Sequence, residues 1–294
     1  MNMMPGVACR ILAVCFACLI VFSHAAVAEP GQPRQRISID NDWRFRKGDP
    51  EGVDSNELAY DVRPAQSENR DDKPADSKPQ EAATTKSSAQ SVLKAWILPT
   101  GNPFIKDPQR RFTRPTAEPA VRVPCTAIDY DDSTWQHLNL PHDWAIEGPF
   151  NSSGKGVGGG MGRLPSPGVG WYRKKLHFNA DDAGKSVVLE VDGAMSYATV
   201  WFNGHLVGGW PYGYASWQVD LTPYVVVGWE NQLAIRVDNP PDSSRWYPGA
   251  GIYRNVWLTK TSSVHVAQWG TRVTTSNVSA DSATVQLAVT IDND

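Results

Sequence analysis

Short runs in which apolar and polar residues alternate are the main pattern of the chain beyond residue 36. Ile37 and Ile39 alternate with polar neighbours, and so do Leu233, Ile235 and Val237. Because successive side chains of a β-strand point to opposite faces, a period of two indicates strands with one apolar face. Turn residues separate these runs. The sequence therefore predicts an all-β fold of the β-sandwich or jelly-roll type.

The run from 172 to 178 gives the clearest strand prediction. Tyr172, Leu176 and Phe178 would share the apolar face of this strand, and Arg173 and Lys175 would lie on its polar face. Period-two alternation of this kind is typical of a half-buried strand.

A β-hairpin is expected around Asn203-Gly204, which separates the runs 197–202 and 205–210. This dipeptide suits a type I′ turn, because both central residues of that turn need a positive φ.

The tryptophans divide into two groups by their surroundings. Trp201, Trp217 and Trp257 lie within predicted strands and are expected in the core. Trp144 and Trp246 lie in turn-rich polar segments, where a ring face is available to pack against the C–H face of a sugar.

The N-terminus predicts a signal peptide over 1–28. An apolar run from 11 to 22 precedes Ala26-Val27-Ala28, and this small-residue pattern places the cleavage after Ala28. The run is shorter than the ~20 apolar residues that a membrane-spanning helix needs. We therefore expect export to the periplasm or the extracellular space, with no membrane attachment after cleavage.

Composition narrows the function further. The chain has 294 residues and a formal net charge of -3, without a clustered basic face, which argues against a nucleic-acid partner. Cys125 is the one cysteine beyond the predicted signal peptide, so an internal disulfide is not expected. No metal site or cofactor is predicted either. The acidic triplet Asp129, Asp131 and Asp132 is interpreted as a polar turn before Trp135 rather than a calcium site.

Two segments interrupt the strand pattern. Residues 54–91 are rich in Asp, Glu, Lys, Ser, Pro and Ala and predict a disordered insertion. Residues 263–294 contain two expected strands, 264–275 and 284–291. In the second of these, Val285, Leu287, Val289 and Ile291 lie on one face.

Several segments together resemble glycoside hydrolase family 2, and β-galactosidases in particular. The stretch from Leu140 to Phe150 contains Pro-His-Asp-Trp, and the stretches 171–175 and 200–205 resemble strands of the sugar-binding domain of that family. The segment 244–256, Ser-Arg-Trp-Tyr-Pro-Gly-Ala-Gly-Ile-Tyr-Arg-Asn-Val, resembles the motif that closes that domain.

The resemblance implies a domain order. A galactose-binding-like jelly roll over 37–50 and 92–262 would be followed by the start of an immunoglobulin-like sandwich over 263–294. In the family a TIM barrel with two catalytic glutamates comes next, and this barrel is expected to be missing from the chain. We therefore predict no catalytic residue here, and a chain that is inactive on its own although its family hydrolyses glycosides with retention.

The resemblance also implies the residues that reach the sugar. Arg245 would donate hydrogen bonds to hydroxyls, and Trp246 would supply an apolar wall. Asp143 and Trp144 complete the predicted substrate-binding set. For Asp143, an equal alternative is that its carboxylate accepts hydrogen bonds that fix a turn.

Three functions remain open from the sequence. The first is the N-terminal part of an exported β-galactosidase, with the catalytic barrel and a β-galactoside as partners. The second is a stand-alone carbohydrate-binding module. The third is the same architecture in a β-mannosidase or a β-glucuronidase.

Overall fold

Antiparallel β-strands make up most of the structure, a computed structural model that describes residues 34–53, 99–111, 123–149, 164, 167–239 and 249–293. The predictions for 1–28 and 54–91 lie outside these residues, and so do Arg245 and Trp246. The strands are β1 (Arg34–Ser38), β2 (Trp43–Lys47), β3 (Gln136–Leu138), β4 (Gly168–His177), β5 (Ser186–Val191), β6 (Ala198–Phe202), β7 (His205–Trp210), β8 (Trp217–Asp220), β9 (Glu230–Asn239), β10 (Val256–Thr261), β11 (Val264–Ser276) and β12 (Thr284–Asn293). Short 3₁₀ helices occur at Pro99–Phe104, Pro108–Arg110, Pro124–Thr126, Ala180–Asp182 and Thr222–Tyr224.

The strands form three sheets. The largest has six strands in the order β3-β2-β4-β9-β6-β7, and the second has four strands in the order β1-β10-β5-β8. Strands β11 and β12 pair only with each other. The prediction of an all-β fold is confirmed: none of the residues that the structure describes lies in an α-helix.

One hydrophobic core joins the six-stranded and four-stranded sheets into a sandwich. Tyr172 of β4 and Phe178, which directly follows β4, are buried in this core together with Leu189 of β5 and Val219 of β8. The apolar face predicted for the run 172–178 is therefore correct. Burial of large apolar side chains from both sheets, each contributing ~1.5–3 kcal/mol, is the main source of stability in such a fold.

The opposite face of the six-stranded sheet is covered at Arg173, which corrects the predicted polar face of β4 at this residue, whereas Lys175 is exposed as predicted. Arg173 is 1% exposed because residues 123–135 lie over it. Its guanidinium donates to the backbone oxygen of Ala127 at 2.7 Å and pairs with the carboxylate of Asp132. Trp171 and Trp201 stack in the same layer, with ring centroids 5.2 Å apart. A second hydrophobic cluster thus lies outside the sandwich core.

A second arginine is buried in this outer layer. Arg236 of β9 is 1% exposed, and Asp49 accepts hydrogen bonds from its Nε and Nη2 at 3.0 and 3.1 Å. Asp238 accepts from Nη1 at 3.1 Å, and Trp171 Nε1 also donates to Asp49. Burial by itself would lower the pKa of Arg236, but the hydrogen bonds and charges of the two carboxylates raise it. The guanidinium is therefore held in its charged form.

The hairpin predicted at Asn203-Gly204 is present between β6 and β7. Both residues have a positive φ, 51° and 80°, as a type I′ turn requires. Trp201 and Trp217 are buried as predicted, although Trp201 belongs to the outer cluster. Trp257 differs from the prediction, since it is only half-buried. The guanidinium carbon of Arg36 lies over its ring, 3.9 Å from the ring centroid.

The hairpin of β11 and β12 confirms the two strands predicted in the tail but leaves their apolar residues exposed. Val285, Leu287, Val289 and Ile291 are between 45% and 66% exposed. A β-bulge separates the pair Val266–Ile291 from the pair Thr271–Val289. Arg34 of β1 contacts the hairpin through Gln268, whose Oε1 accepts its hydrogen bond at 2.8 Å.

No helix within the described ranges has the length and apolar character to cross a membrane.

Candidate functional site

Several connections meet at one end of the sandwich, which we call the loop end: residues 141–149, 192–197, 211–216 and 249–255. The pairing explains why they meet. The last residue of β5, Val191, pairs with the first residues of β10 and β8, and the last residue of β7, Trp210, pairs with the first residue of β6. The connections that leave these strands therefore share one end.

The Pro-His-Asp-Trp segment is fixed at the loop end by backbone hydrogen bonds. His142 N donates to Ile252 O at 2.8 Å, and Trp144 N donates to Ala250 O at 3.1 Å. Gly251 pairs in turn with Met195, with both N–H···O distances at or below 3.1 Å. Two segments that are about a hundred residues apart in sequence thus form one strand-like pair, and residues 249–252 connect it to the 192–197 connection.

Glycine is required where these segments cross. Gly251 has φ = 112°, a value that L-residues rarely adopt, and a Cβ there would lie 2.4 Å from Tyr172 Oη and 2.8 Å from His142 O. At Gly170 of β4, a Cβ would lie 2.5 Å from the Trp144 ring. The absence of side chains at these two positions allows the Pro-His-Asp-Trp segment to lie close against the sheet.

Asp143 is the predicted site residue that the structure leaves partly exposed. Its Oδ1 accepts a hydrogen bond from Ala145 N at 3.0 Å, which is the turn-fixing role that the sequence allowed. Its Oδ2 lies 3.6 Å from the position that a Cβ on Gly249 would take. The carboxylate is therefore next to the residue that directly follows 240–248, the stretch that contains Arg245 and Trp246.

Trp144, the neighbouring candidate, is placed in the core instead. Its ring is 2% exposed and stacks on Phe45 with 6.0 Å between ring centroids. A ring buried in this way offers no free face to a sugar, so the structure gives Trp144 a packing role rather than the predicted substrate contact. The prediction for Trp144 depended on its turn-rich surroundings. Such surroundings indicate the backbone conformation of the segment, but they do not determine the direction in which the ring points.

His142 belongs to a chain of hydrogen bonds that the sequence did not predict. Its Nδ1 is 2.7 Å from Tyr172 Oη, its Nε2 is 3.1 Å from Glu147 Oε1, and Ile252 N donates to Tyr172 Oη at 3.4 Å. Because a carboxylate can only accept, Nε2 carries the proton and Nδ1 accepts from the tyrosine hydroxyl. Burial lowers the pKa of His142, against the opposing effect of Glu147, so the neutral ring is favoured.

This chain fixes the backbone on both sides of Asp143. Tyr172 extends from the fully buried part of β4, and burial raises the pKa of its hydroxyl well above the usual value. The hydroxyl therefore stays protonated and donates to His142, while it receives the N–H of Ile252. One buried tyrosine thereby joins the Pro-His-Asp-Trp segment to the closing segment 249–255.

Two glutamates of the sandwich strands, Glu190 and Glu230, also have partners within the sandwich. Glu190 is 4% exposed and accepts from Arg36 Nε at 3.1 Å and from the hydroxyl of Thr259. Glu230 accepts from Lys175 Nζ at 3.0 Å. Glu190 therefore belongs to a buried hydrogen-bond network, and Glu230 forms an exposed ion pair.

The acidic triplet before Trp135 also has structural roles. Asp131 Oδ1 accepts from Ser133 N at 2.9 Å, which closes a turn as expected, and Asp132 pairs with Arg173. Burial raises the pKa of the Cys125 thiol to about 12, so this cysteine is not a thiolate ligand or nucleophile at neutral pH. Over the part of the chain that the structure describes, no group of three His, Cys, Asp or Glu side chains could hold a metal ion.

Comparison with known proteins identifies the architecture. Residues 170–276, from β4 to the end of β11, match the family described as glycosyl hydrolase 2 galactose-binding domain-like. A crystal structure of a β-glycosidase from Bacteroides vulgatus superposes with a TM-score of 0.58 at 26% identity, over 88% of this chain and 24% of that one. A glycosyl hydrolase family 2 member from Bacteroides cellulosilyticus gives a TM-score of 0.55 at 27% identity, over 88% of this chain and 25% of that one.

Residues 170–276 therefore match the galactose-binding-like domain of glycoside hydrolase family 2. Among curated proteins, the chain is 50% identical over 167 residues to β-galactosidase BoGH2A of Bacteroides ovatus, which is 56% of this chain and 19% of that protein. It is 41% identical over 137 residues to a putative β-glucuronidase of Formosa agariphila, which is 46% of this chain and 13% of that protein. The chain thus spans about a fifth or less of these relatives.

Proposed function

We propose that this chain is the non-catalytic, sugar-binding N-terminal region of an exported family 2 glycosidase that hydrolyses β-galactosides. The observation that carries the proposal is the 50% identity over 167 residues to a protein named β-galactosidase. The catalytic carboxylates would belong to a barrel domain of that glycosidase.

Asp143 is the described residue that suits a sugar contact. Its carboxylate is partly exposed and is oriented by Ala145 N, and carboxylate oxygens accept hydrogen bonds from hydroxyl groups such as those of a sugar. The buried chain of Tyr172 and His142 holds this segment in place before a sugar arrives, which reduces the entropic cost of binding. Arg245 as a hydroxyl donor and Trp246 as an apolar wall stay predictions beside it.

A β-glucuronide is the second candidate substrate. It is favoured by the 41% identity to a putative β-glucuronidase and by the glucuronidase structures of the same fold, such as one at 22% identity with a TM-score of 0.59. A glucuronide carries a carboxylate, which Asp143 would repel and a cation such as Arg245 would attract. A positive charge at the loop end therefore favours a β-glucuronide, whereas the negative charge of Asp143 disfavours it and is compatible with a neutral β-galactoside.

Export is part of the proposal. Cleavage after Ala28 in an exporting cell would leave a secreted product that begins at Glu29. Mass spectrometry of the mature N-terminus would establish this, and a product that retains residues 1–28 would refute it.

Titration of the purified chain with galactose and with glucuronate tests the sugar preference. We expect galactose to bind more tightly, and Asp143→Ala to weaken that binding by about 10- to 100-fold, the equivalent of ~1.5–3 kcal/mol for a hydrogen bond to a charged group. Asp143→Asn is the matched control, because an amide oxygen can still accept from Ala145 N while the charge is lost. Tighter binding of glucuronate, no binding of galactose, or turnover of an aryl β-galactoside by this chain alone would contradict the proposal.

A further inference from the structure

Two tyrosine rings stand on the surface of the connection between β7 and β8. Tyr212 is 60% exposed and Tyr214 is 44% exposed, and their ring centroids are 5.6 Å apart in an edge-to-face arrangement. Large aromatic side chains are more often buried, so a pair that is exposed side by side at one end of a domain is a candidate for binding. We call Tyr212 and Tyr214 the tyrosine pair.

The backbone that carries the tyrosine pair is firmly held. Gly213, between the two tyrosines, is buried, and its carbonyl accepts a hydrogen bond from Tyr253 Oη at 2.8 Å. A Cβ on Gly213 would lie 2.4 Å from Met195 Sδ, so the loop is packed directly on that side chain. Pro211 O accepts from Tyr197 N at 3.0 Å. Because the loop is ordered already, a ligand that stacks on these rings has little conformational entropy to remove.

The tyrosine pair lies at the loop end, close to the proposed sugar contact. Met195, on which Gly213 packs, pairs with Gly251, and Gly251 in turn lies against His142 O and the Trp144 ring. Among the described residues, this layer of the closing segment lies between the tyrosine loop and the segment of Asp143. A ligand that reaches Asp143 with one end can therefore extend toward the rings.

Polar groups accompany the rings. The exposed Arg254 donates to Asp192 O at 3.3 Å, and the exposed Ser216 hydroxyl donates to the same oxygen at 3.1 Å. Burial raises the pKa of Tyr253 beneath the loop; Arg254 opposes this effect, and the nearby phenols of Tyr214 and Tyr212 add to it. Exposed ring faces, with hydroxyl and guanidinium groups in the neighbouring connections, suit a sugar, which has C–H faces and a rim of hydroxyls.

We propose that the tyrosine pair binds sugar units of an oligosaccharide beyond the terminal sugar, so that the substrate class is an extended neutral glycan rather than a short glycoside. This proposal rests on the proposed function. A protein partner is less well matched, because the aliphatic exposed surface of the described residues is concentrated on β11 and β12, where Val285, Leu287 and Ile291 lie. The tyrosine pair is the aromatic surface that adjoins the sugar contact.

The test is a titration of the full chain with galactose and with β-1,4-linked galacto-oligosaccharides of two to four units. We expect affinity to rise with chain length, and the Tyr212→Ala/Tyr214→Ala variant to lose about tenfold for the tetrasaccharide while galactose binding is unchanged. Tyr212→Phe/Tyr214→Phe keeps the ring faces and should retain most of the gain. Trp229→Ala removes a 71% exposed ring in the connection between β8 and β9, and it serves as the matched control that should lose nothing.

Four alternative outcomes overturn the inference. A length-dependent gain that survives Tyr212→Ala/Tyr214→Ala shows that other residues bind the extended glycan. An equal loss for galactose and tetrasaccharide shows a general effect on the fold, and an equal loss in Trp229→Ala shows unspecific stacking. A change confined to self-association assigns the pair to a second copy of the chain. If Asp143→Ala has no effect while the tyrosine dependence holds, the proposed function fails and this inference stands.

Discussion

The outer face of the six-stranded sheet buries charged side chains, whereas the exposed face of the β11–β12 hairpin presents apolar side chains to solvent. Both faces depart from the usual distribution, in which apolar side chains are buried and charged ones are exposed. On the first, Arg173 and Arg236 are each 1% exposed. On the second, Leu287 and Ile291 are 66% and 56% exposed. Both faces belong to strands with clear period-two alternation, so the strand pattern by itself does not decide which face is buried.

The difference lies in what covers each face. Residues 123–135 lie over the sheet and bring Asp132 and the carbonyl of Ala127 to Arg173. Asp49 comes from the residues that follow β2 and meets Arg236 with both carboxylate oxygens. Nothing in the described ranges covers the apolar face of the hairpin in a similar way. Burial is thus set by distant segments, while alternation sets only the two faces of a strand.

A matched pair of leucine substitutions tests this difference in burial most directly. Leu233 of β9 is fully buried, so Leu233→Ala should lower the free energy of unfolding by about 2–5 kcal/mol through lost transfer energy and a cavity. Leu287→Ala on the hairpin should change it by less than about 0.5 kcal/mol. Chemical denaturation measures both values. A cost of 2 kcal/mol or more for Leu287→Ala would mean that the hairpin face is covered in solution.

Removal of the Asp49 carboxylate tests how much the pairing of the buried Arg236 contributes to stability. Asp49→Ala leaves the guanidinium of Arg236 buried with Asp238 as its remaining ion-pair partner and also removes the acceptor for Trp171 Nε1. We expect a loss of about 3 kcal/mol in the free energy of unfolding, because an incompletely compensated buried charge is costly.

The double variant Asp49→Leu/Arg236→Met is the control for this prediction. It replaces both charges by apolar side chains and should be less destabilised than Asp49→Ala, since no unpaired charge is left. If Asp49→Ala unfolds at the same denaturant concentration as the parent chain, the ion pair contributes nothing and water reaches Arg236.

The strands and their faces could be predicted from the sequence because alternation and turn chemistry are local. Tyr172 and Phe178 are in the core, and Asn203-Gly204 makes its hairpin, as expected. The burial of Arg173 could not be predicted, since its partners come from residues more than forty positions earlier. Such contacts leave no periodic signal along the chain.

The candidate site was less predictable than the fold. A polar, turn-rich segment drew attention to both Asp143 and Trp144, yet the structure separates them: the carboxylate is partly exposed and the indole ring is buried. The signal that could have identified the packing role is Gly170, whose missing side chain makes room for that ring. The link between His142 and Tyr172 spans thirty residues and could not be inferred from spacing.

The smallest expected effect concerns pH and the buried histidine. Burial lowers the pKa of His142 in the folded chain below its ordinary value of 6.5. Below about pH 6.5 the unfolded chain therefore binds a proton that the folded chain does not, and the free energy of unfolding must fall as the pH drops toward the folded-state pKa. Above pH 6.5 this contribution is fully present. Glu147 and Asp143, the carboxylates near the ring, oppose the shift without reversing it.

His142→Gln isolates this contribution, because glutamine keeps a donor and an acceptor but does not titrate. Melting temperatures measured between pH 7.5 and 5 should decline less steeply for the variant than for the parent chain, and the difference between the two curves should appear only below about pH 6.5. Parallel curves would show that protonation of His142 is not linked to folding. The hydrogen bonds to Tyr172 and Glu147 would then be compatible with the charged ring, and the Pro-His-Asp-Trp segment would owe its position to Gly170 and Gly251 instead.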